Sequence, residues 1–131
     1  MTEAAMICVD DETVILETLQ EQISRHFGRQ FVYEAAESAD EALEIIEELD
    51  QDGVKILVII SDWLMPGMRG DEFLVQVHQK FGKIKTILLT GHAESSAIER
   101  AKSEGNLYCC IYKPWREEEL IEIITKALEL A

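Results

Sequence analysis

Short apolar runs alternate along the chain with longer segments in which apolar residues recur every three or four positions. The short runs predict five β-strands, at 6–9, 31–36, 55–61, 85–90 and 107–112. The longer segments predict five α-helices, at 10–27, 38–50, 70–81, 94–105 and 116–130. Five strand–helix units in 131 residues predict an α/β domain with a single doubly wound, five-stranded parallel sheet and helices on both faces.

Local signals mark individual elements of this pattern. The run 55–61 is apolar at nearly every position, as expected of a central parallel strand that is buried on both faces. Ser38 and Glu41 form a capping-box pattern at the start of the second helix. Gly105 suits the position that follows the last turn of the fourth helix.

The overall composition restricts the class of protein. An apolar content of 47% in 131 residues suits one globular domain, and no apolar run approaches the roughly 20 residues that span a membrane. The first residues lack the basic segment of a secretory signal, so we expect a cytoplasmic protein without membrane association. The net charge of −14 argues against direct binding of nucleic acid and favours cations or basic partners.

The three cysteines, Cys8, Cys109 and Cys110, all lie in apolar runs. Adjacent residues of a strand point to opposite faces, so Cys109 and Cys110 do not form a metal-site pattern. We expect all three to be small apolar side chains in a reducing compartment.

Polar residues collect where the predicted strands end. In a doubly wound sheet, ligands bind beyond the carboxyl ends of the strands, so these residues share one edge. They are Asp10, Asp11 and Glu12 after the first strand, Asp62 after the third, Thr90 and Gly91 at the fourth, and Lys113 and Pro114 after the fifth. Each has an ordinary alternative role, because an aspartate or the threonine could cap a helix and the lysine could be a solvated loop residue.

Taken together, these residues indicate phosphoryl transfer. Carboxylates that meet at one edge repel one another by about 4 kcal/mol per pair at ~4 Å, with an effective dielectric constant of about 20, so we expect a cation among them. Hard oxygen ligands in a small acidic pocket suit Mg²⁺. A divalent cation, Lys113 and the hydroxyl of Thr90 would neutralise charge on a phosphoryl group. Asp62 would be the nucleophile that forms an aspartyl phosphate.

Four segments, VDDE, SDWLMPGMRGDEFL, LLTG and YKPW, follow one another along the chain. In these segments the sequence resembles the receiver domains of two-component response regulators. The resemblance implies that residues 1–131 form one receiver domain with a flavodoxin-like (βα)5 fold and strand order 2-1-3-4-5. It also implies that Asp62 accepts a phosphoryl group from a histidine kinase or a histidine phosphotransfer protein in a Mg²⁺-dependent reaction.

The resemblance implies a role for each residue at the edge. Asp11 and Asp62 would bind Mg²⁺ directly, together with the backbone carbonyl of Leu64, and Asp10 would bind it largely through water. Thr90 would contact the phosphoryl oxygens after the switch, and Lys113 would pair with them.

Two backbone features are also implied by the resemblance. The Lys113–Pro114 peptide bond is a candidate for the cis form. Gly67 and Gly70, in the loop after Asp62, would permit unusual backbone angles.

The resemblance further implies an output surface made of the fourth helix, the fifth strand and the fifth helix. That surface would act on a C-terminal output domain or a downstream effector, or would form a homodimer. The chain would then be a stand-alone regulator or the N-terminal module of a longer protein, and would catalyse only its own phosphorylation and dephosphorylation. Receivers with a tryptophan after the proline, here Trp115, often precede cyclase, phosphatase or cyclic-di-GMP hydrolase domains.

Two departures from the family pattern lead to further expectations. Cys110 stands three residues before Lys113, where most relatives have a tyrosine or phenylalanine that swings inward during the switch. Tyr112 lies on the same strand face as Cys110, so either output is weakly coupled to phosphorylation or Tyr112 has taken over the switching role. In that family, the residues two positions after the phosphoacceptor and two after the threonine flank the path of the hydrolytic water, and here these positions hold Leu64 and His92. Leu64 cannot orient water, so we expect a long-lived phosphorylated state.

Three other interpretations fit parts of the pattern. A haloacid-dehalogenase-type phosphatase needs a second aspartate two residues after the nucleophile, where this chain has Leu64, and usually a cap domain. A flavodoxin-like FMN carrier needs a Ser/Thr/Gly-rich phosphate loop, whereas residues 10–12 would repel phosphate. A degenerate receiver would serve only as a docking module, although nothing in the acidic pocket has been lost. Mg²⁺-dependent labelling with acetyl phosphate distinguishes an active receiver from all three.

Overall fold

The computed structural model describes residues 3–91, 95–104 and 107–129. These residues form five strands, β1 (Ala4–Val9), β2 (Val32–Ala36), β3 (Lys55–Asp62), β4 (Lys85–Thr90) and β5 (Leu107–Tyr112). They also form five α-helices, α1 (Thr13–Phe27), α2 (Ala39–Gln51), α3 (Gly70–Lys80), α4 (Ser95–Glu104) and α5 (Glu117–Glu129). Among these described residues, no helix is both long enough and apolar enough to cross a membrane.

All neighbouring strands of the sheet are parallel, and their order is β2-β1-β3-β4-β5. The predicted doubly wound fold and its strand order are therefore confirmed. One core cluster packs α2 and α3 against one face of the sheet, and a second packs α1 and α5 against the other. The central strand β3 contributes buried side chains to both clusters, Ile59 to the first and Ile60 to the second.

Local capping explains where two helices begin. The Ser38 hydroxyl accepts a hydrogen bond from the Glu41 backbone N–H at 3.1 Å, so the predicted N-cap of α2 is confirmed. The first helix begins at Thr13, not at Asp10 as predicted, because the Asp10 carboxylate accepts the Glu12 N–H at 2.9 Å and closes a turn before the helix. Gly105, the predicted residue after α4, lies outside the described residues.

The outer strand β5 contains a register shift relative to β4. Thr86 pairs with Leu107 but Ile87 pairs with Cys109, so β5 carries one extra residue at this point. As a result, Tyr108 packs into the cluster on the α1 and α5 side, whereas Cys110 packs into the cluster on the α2 and α3 side. Simple alternation would have placed Tyr108 and Cys110 on the same face.

All three cysteines are free thiols, and Cys8 is buried while the other two are partly buried. Burial, with a smaller contribution from nearby Asp10, raises the pKa of Cys8 to about 12. Burial is also the main cause of the raised pKa of Cys109 and of Cys110. The thiols therefore stay protonated near neutral pH, which agrees with their expected role as small apolar side chains.

Candidate functional site

The parallel pairing of β1 and β3 brings two aspartates to the same edge of the sheet. Val9 pairs with Ser61, so Asp10 and Asp62, the next residue of each strand, end side by side. The Asp10 backbone N–H donates to the Ala36 carbonyl at 3.1 Å, which fixes the end of β1 against β2. Asp10 and Asp62 therefore lie together at the carboxyl edge of the sheet, as predicted.

Three carboxylates, those of Asp10, Asp11 and Asp62, form an acidic group at this edge. Each offers an oxygen, and the three oxygens lie within 4.8 Å of one another. Asp10 has no exposed surface and Asp62 is 7% exposed, whereas Asp11 is exposed. Close oxygens with one side open to solvent are a donor set that suits a hard divalent cation such as Mg²⁺.

Asp10 has two roles in this arrangement. One carboxylate oxygen, Oδ1, accepts the Glu12 N–H at 2.9 Å. The other, Oδ2, lies 3.2 Å from Nζ of Lys113. The ordinary role of capping the turn before α1 and the role at the edge are therefore combined in one side chain.

Lys113 bridges the two buried carboxylates. Its Nζ lies 3.0 Å from Oδ1 of Asp62 and 3.2 Å from Oδ2 of Asp10. Its backbone N–H donates to the Thr90 carbonyl at 2.8 Å, and the Lys113–Pro114 peptide bond is cis, as predicted. Burial alone would lower the pKa of Lys113, but the contacts with Asp62 and Asp10 outweigh burial and raise it.

The acidic group carries more negative charge than Lys113 balances. Burial is the largest cause of the raised pKa of Asp62, Asp10 adds to it, and the bond from Lys113 opposes it without cancelling it. Three carboxylates face one ammonium, so a further cation at this edge would be stabilised.

Thr90 is the last residue of β4 and lies beside the end of β3. Asp62 pairs with Leu89 in the register, so Thr90 is one residue beyond the position opposite Asp62. The Thr90 side chain is buried, 2% exposed, and its residue pairs with Tyr112 of β5. The three strands β3, β4 and β5 thus deliver Asp62, Thr90 and Lys113 to one end of the sheet.

The loop after Asp62 contains two glycines that are required for different reasons. Gly67 has φ +86°, a conformation that favours glycine, so the prediction for Gly67 is confirmed. Gly70 does not have a positive φ; instead a Cβ there would overlap the backbone carbonyl of Asp62. The prediction of unusual backbone angles was therefore wrong for Gly70, whose role is the close approach of α3 to the end of β3.

Three residues at the two ends of this loop, Trp63, Arg69 and Asp71, were missed at the sequence level. Asp71 is completely buried and accepts hydrogen bonds from the Trp63 indole N–H at 3.0 Å and from Arg69 at 3.2 Å. A signal was present, because Asp71 shares a helix face with the apolar residues at 74 and 75. An aspartate in the first turn of a helix is ordinarily explained by the helix dipole, which hides such a signal.

Leu64 and His92 were also singled out from the sequence. Leu64, two residues after Asp62, is 61% exposed. His92, expected to border the site, lies outside the described residues.

Comparison with known proteins identifies similar sequences over most of the chain. A family model described as the response regulator receiver domain matches residues 6–125. The hydrogenase transcriptional regulatory protein HoxA of Cupriavidus necator is 33% identical over 127 residues, which cover 97% of this chain and 24% of HoxA. The chain thus corresponds to a minor part of that longer regulator.

Solved structures of similar chains share the fold. The signal receiver domain of an HD domain-containing protein from Pseudomonas fluorescens Pf-5 is 30% identical, with a TM-score of 0.85 over 97% of this chain and 95% of that one. A CheY-like response regulator receiver domain protein from Methanospirillum hungatei JF-1 is 26% identical, with a TM-score of 0.84 over 98% and 95%.

Proposed function

The chain belongs to the response regulator receiver domain family, a family of regulatory domains, and we propose that Asp62 is its phosphoacceptor. The observation that carries this proposal is the contact of 3.0 Å between Lys113 Nζ and Asp62 Oδ1, within the group formed with Asp10 and Asp11. A buried carboxylate held next to a lysine and further acidic ligands is the arrangement that phosphoryl transfer to a carboxylate requires.

The proposed reaction transfers a phosphoryl group from a phosphohistidine donor, presented by a histidine kinase or a histidine phosphotransfer protein. An oxygen of Asp62 forms a bond to phosphorus while the P–N bond of the donor breaks. The electron pair of that bond returns to the imidazole nitrogen, which then takes a proton from solvent. Asp62 must be ionised to attack, so Lys113 assists by favouring the charged form that burial disfavours.

We propose that Asp11, Asp62 and the Leu64 backbone carbonyl hold Mg²⁺, with Asp10 acting largely through water. The donor set fits, because three carboxylate oxygens already lie within 4.8 Å of one another. When bound, Mg²⁺ would neutralise charge on the phosphoryl oxygens. Asp10 would be kept in place by the Glu12 N–H and by Lys113.

After transfer, Thr90 and Lys113 would contact the new phosphoryl oxygens. Lys113 would exchange a carboxylate oxygen of Asp62 for a phosphoryl oxygen, and Thr90 would contribute its hydroxyl. A ligand shifts the equilibrium between two conformations only through contacts that differ between them. The new contacts of Thr90 and Lys113, at the ends of β4 and β5, would favour one conformation of an output surface made of α4, β5 and α5.

The proposed readout is a C-terminal output domain, a separate effector or a second copy of this chain on that surface. Tyr112, at the end of β5, is 56% exposed and is therefore available for such contacts. We further propose that the domain acts in the cytoplasm and that its own phosphorylation and dephosphorylation are the only reactions it catalyses.

Labelling with a small phosphodonor tests the proposal. Incubation with Mg²⁺ and acetyl phosphate should add one phosphoryl group, measured as a change in intact mass. The label should be absent without Mg²⁺ and in Asp62→Asn, and present in Asp50→Asn, which alters an exposed aspartate of α2. Equal labelling of Asp62→Asn and the parent would rule out Asp62 as the acceptor.

A further inference from the structure

Asp71 is a buried carboxylate that the proposed reaction does not use. It lies in the first turn of α3, nine residues after Asp62, and has no exposed surface. A buried charge is costly unless it is paired and hydrogen-bonded. A small apolar residue would avoid this cost, so the Asp71 carboxylate must be compensated by the groups that it binds.

Three donors surround this carboxylate. The indole N–H of Trp63 donates to Oδ1 at 3.0 Å. The guanidinium of Arg69 donates to Oδ1 through Nε and to Oδ2 through a terminal nitrogen, both at 3.2 Å, and also contacts Glu72 at 3.3 Å. The N-terminus of α3 adds its own partial positive charge, so the carboxylate is well compensated.

These bonds close the loop that leaves Asp62. Trp63 directly follows Asp62, and Arg69 directly precedes α3, so Asp71 ties the two ends of the loop together through side chains. A backbone hydrogen bond also joins the two ends of the loop, because the Gly70 N–H donates to the Trp63 carbonyl at 2.7 Å. Trp63 is thus held through both its carbonyl and its indole, and its ring is buried.

We propose that Asp71 is a positioning residue for the reaction at Asp62, acting through Trp63 and Arg69. This inference rests on the proposed function of Asp62. By fixing the chain on the carboxyl side of the phosphoacceptor, Asp71 keeps the Asp62 side chain and the Leu64 carbonyl in one arrangement before ligands arrive. A preorganised site loses less entropy on binding a cation and on reaching the transition state.

Graded variants separate the two ties made by the carboxylate. Asp71→Ala removes both the Trp63 and the Arg69 contacts. Asp71→Asn keeps an acceptor for the Trp63 indole and loses the charge that pairs with Arg69. Trp63→Phe keeps an aromatic ring in the core and removes the indole N–H donor together with the five-membered part of the ring. As a stability control, Ile46→Val removes one methyl group from a buried residue of α2. Ile46 belongs to the same core cluster as Trp63 but lies away from the acidic edge.

The first measurement is Mg²⁺ affinity without any phosphodonor, by isothermal titration calorimetry. We expect Asp71→Ala to weaken it about 10-fold, the lower end of the range for residues that orient metal ligands. Asp71→Asn and Trp63→Phe should lie between Asp71→Ala and the parent. Ile46→Val should keep the parent affinity while lowering Tm, which separates positioning from a general loss of stability.

The second measurement is the rate of phosphorylation by acetyl phosphate at saturating Mg²⁺. A positioning role predicts a lower rate at saturating donor, with the donor concentration for half-maximal rate nearly unchanged. Parent values of Mg²⁺ affinity and saturated rate in Asp71→Asn and Trp63→Phe would overturn the inference while leaving Asp62 as the acceptor.

Failure of the proposed function gives a different result. In that case the parent itself takes no label at Asp62, which overturns a role of Asp71 in that reaction, and the calorimetric comparison then tests only whether Asp71 positions the Mg²⁺ ligands. If Asp71→Ala does not fold, Asp71→Asn and Trp63→Phe provide the same two comparisons, because asparagine matches aspartate in size and phenylalanine keeps an aromatic ring at position 63.

Discussion

Replacing Lys113 by methionine removes the positive charge that, among the described residues, pairs with both buried carboxylates at the edge. Lys113 Nζ lies 3.0 Å from Asp62 and 3.2 Å from Asp10. At ~3 Å and an effective dielectric constant of about 20, each pair is worth roughly 5 kcal/mol before the cost of burying the charges. The net loss on breaking a buried pair is smaller, because that cost offsets much of the attraction.

We expect the metal-free Lys113→Met variant to lose about 3 kcal/mol of stability, the low end for a broken buried ion pair, since 21% of the lysine side chain is exposed. For a domain of this size, such a loss lowers Tm by about 10 °C. Thermal unfolding in EDTA at pH 7, followed by circular dichroism, measures the change. Lys80→Met is the matched control, because the pair of Lys80 with Glu47 is exposed and should contribute under about 1 kcal/mol.

The pH dependence of the loss has a defined sign. Burial raises the pKa of Asp62 even with Lys113 present, and removing Lys113 should raise it further. Protonation then relieves the unpaired charge, so the gap between variant and parent should narrow as the pH falls through the pKa of Asp62. At the alkaline end, the raised pKa of Lys113 means that its contribution is complete below the unfolded value of about 10.5 and is lost above the folded one.

A double variant makes the test more specific. Lys113→Met combined with Asp62→Asn removes one of the two uncompensated carboxylates, so it should recover a large part of the lost stability. A Lys113→Met protein as stable as the parent at pH 7, or a loss of the same size in Lys80→Met, would refute the account of charge at this edge.

Four further predictions concern neighbouring features. Asp11→Ala should nearly abolish Mg²⁺ binding in calorimetry, yet stabilise the metal-free protein by at most about 1 kcal/mol, because Asp11 is exposed; a lower Tm than the parent in EDTA would contradict the repulsion. Leu64→Asn should speed loss of the phosphoryl group, since an amide can orient water where exposed Leu64 cannot; an equal or slower rate would show that Leu64 does not control that step. Cys8, with its pKa raised to about 12, should react with a disulfide reagent at pH 8 only when the protein unfolds. Rapid reaction of Cys8 in the native protein would contradict its burial in the core. Side-chain NMR of Tyr112 with a beryllofluoride mimic tests whether it replaces the aromatic switch absent at Cys110, and an unchanged signal while α4 moves would exclude that role.

The sequence alone determined the order and type of the elements and the residues gathered at one edge. Hydrophobic periodicity is a local property, so the alternation of strands and helices is written along the chain. The capping of α2 by Ser38 is equally local. Once the sheet was inferred to be parallel, residues as distant as Asp10, Asp62 and Lys113 had to meet at its carboxyl edge.

Only the tertiary structure decided how those residues and their neighbours contact one another. The extra residue of β5 that turns Tyr108 away from Cys110 depends on how β5 pairs with β4, and single-strand alternation carries no record of pairing. Gly70 is required because α3 approaches the Asp62 carbonyl too closely for a Cβ, a distance set by packing. Asp71 looks like an ordinary residue of a first helical turn, yet the docking of α3 buries it against Trp63 and Arg69. Burial and bonding of this kind arise between segments, so they follow from how the elements pack and not from the residues taken in order.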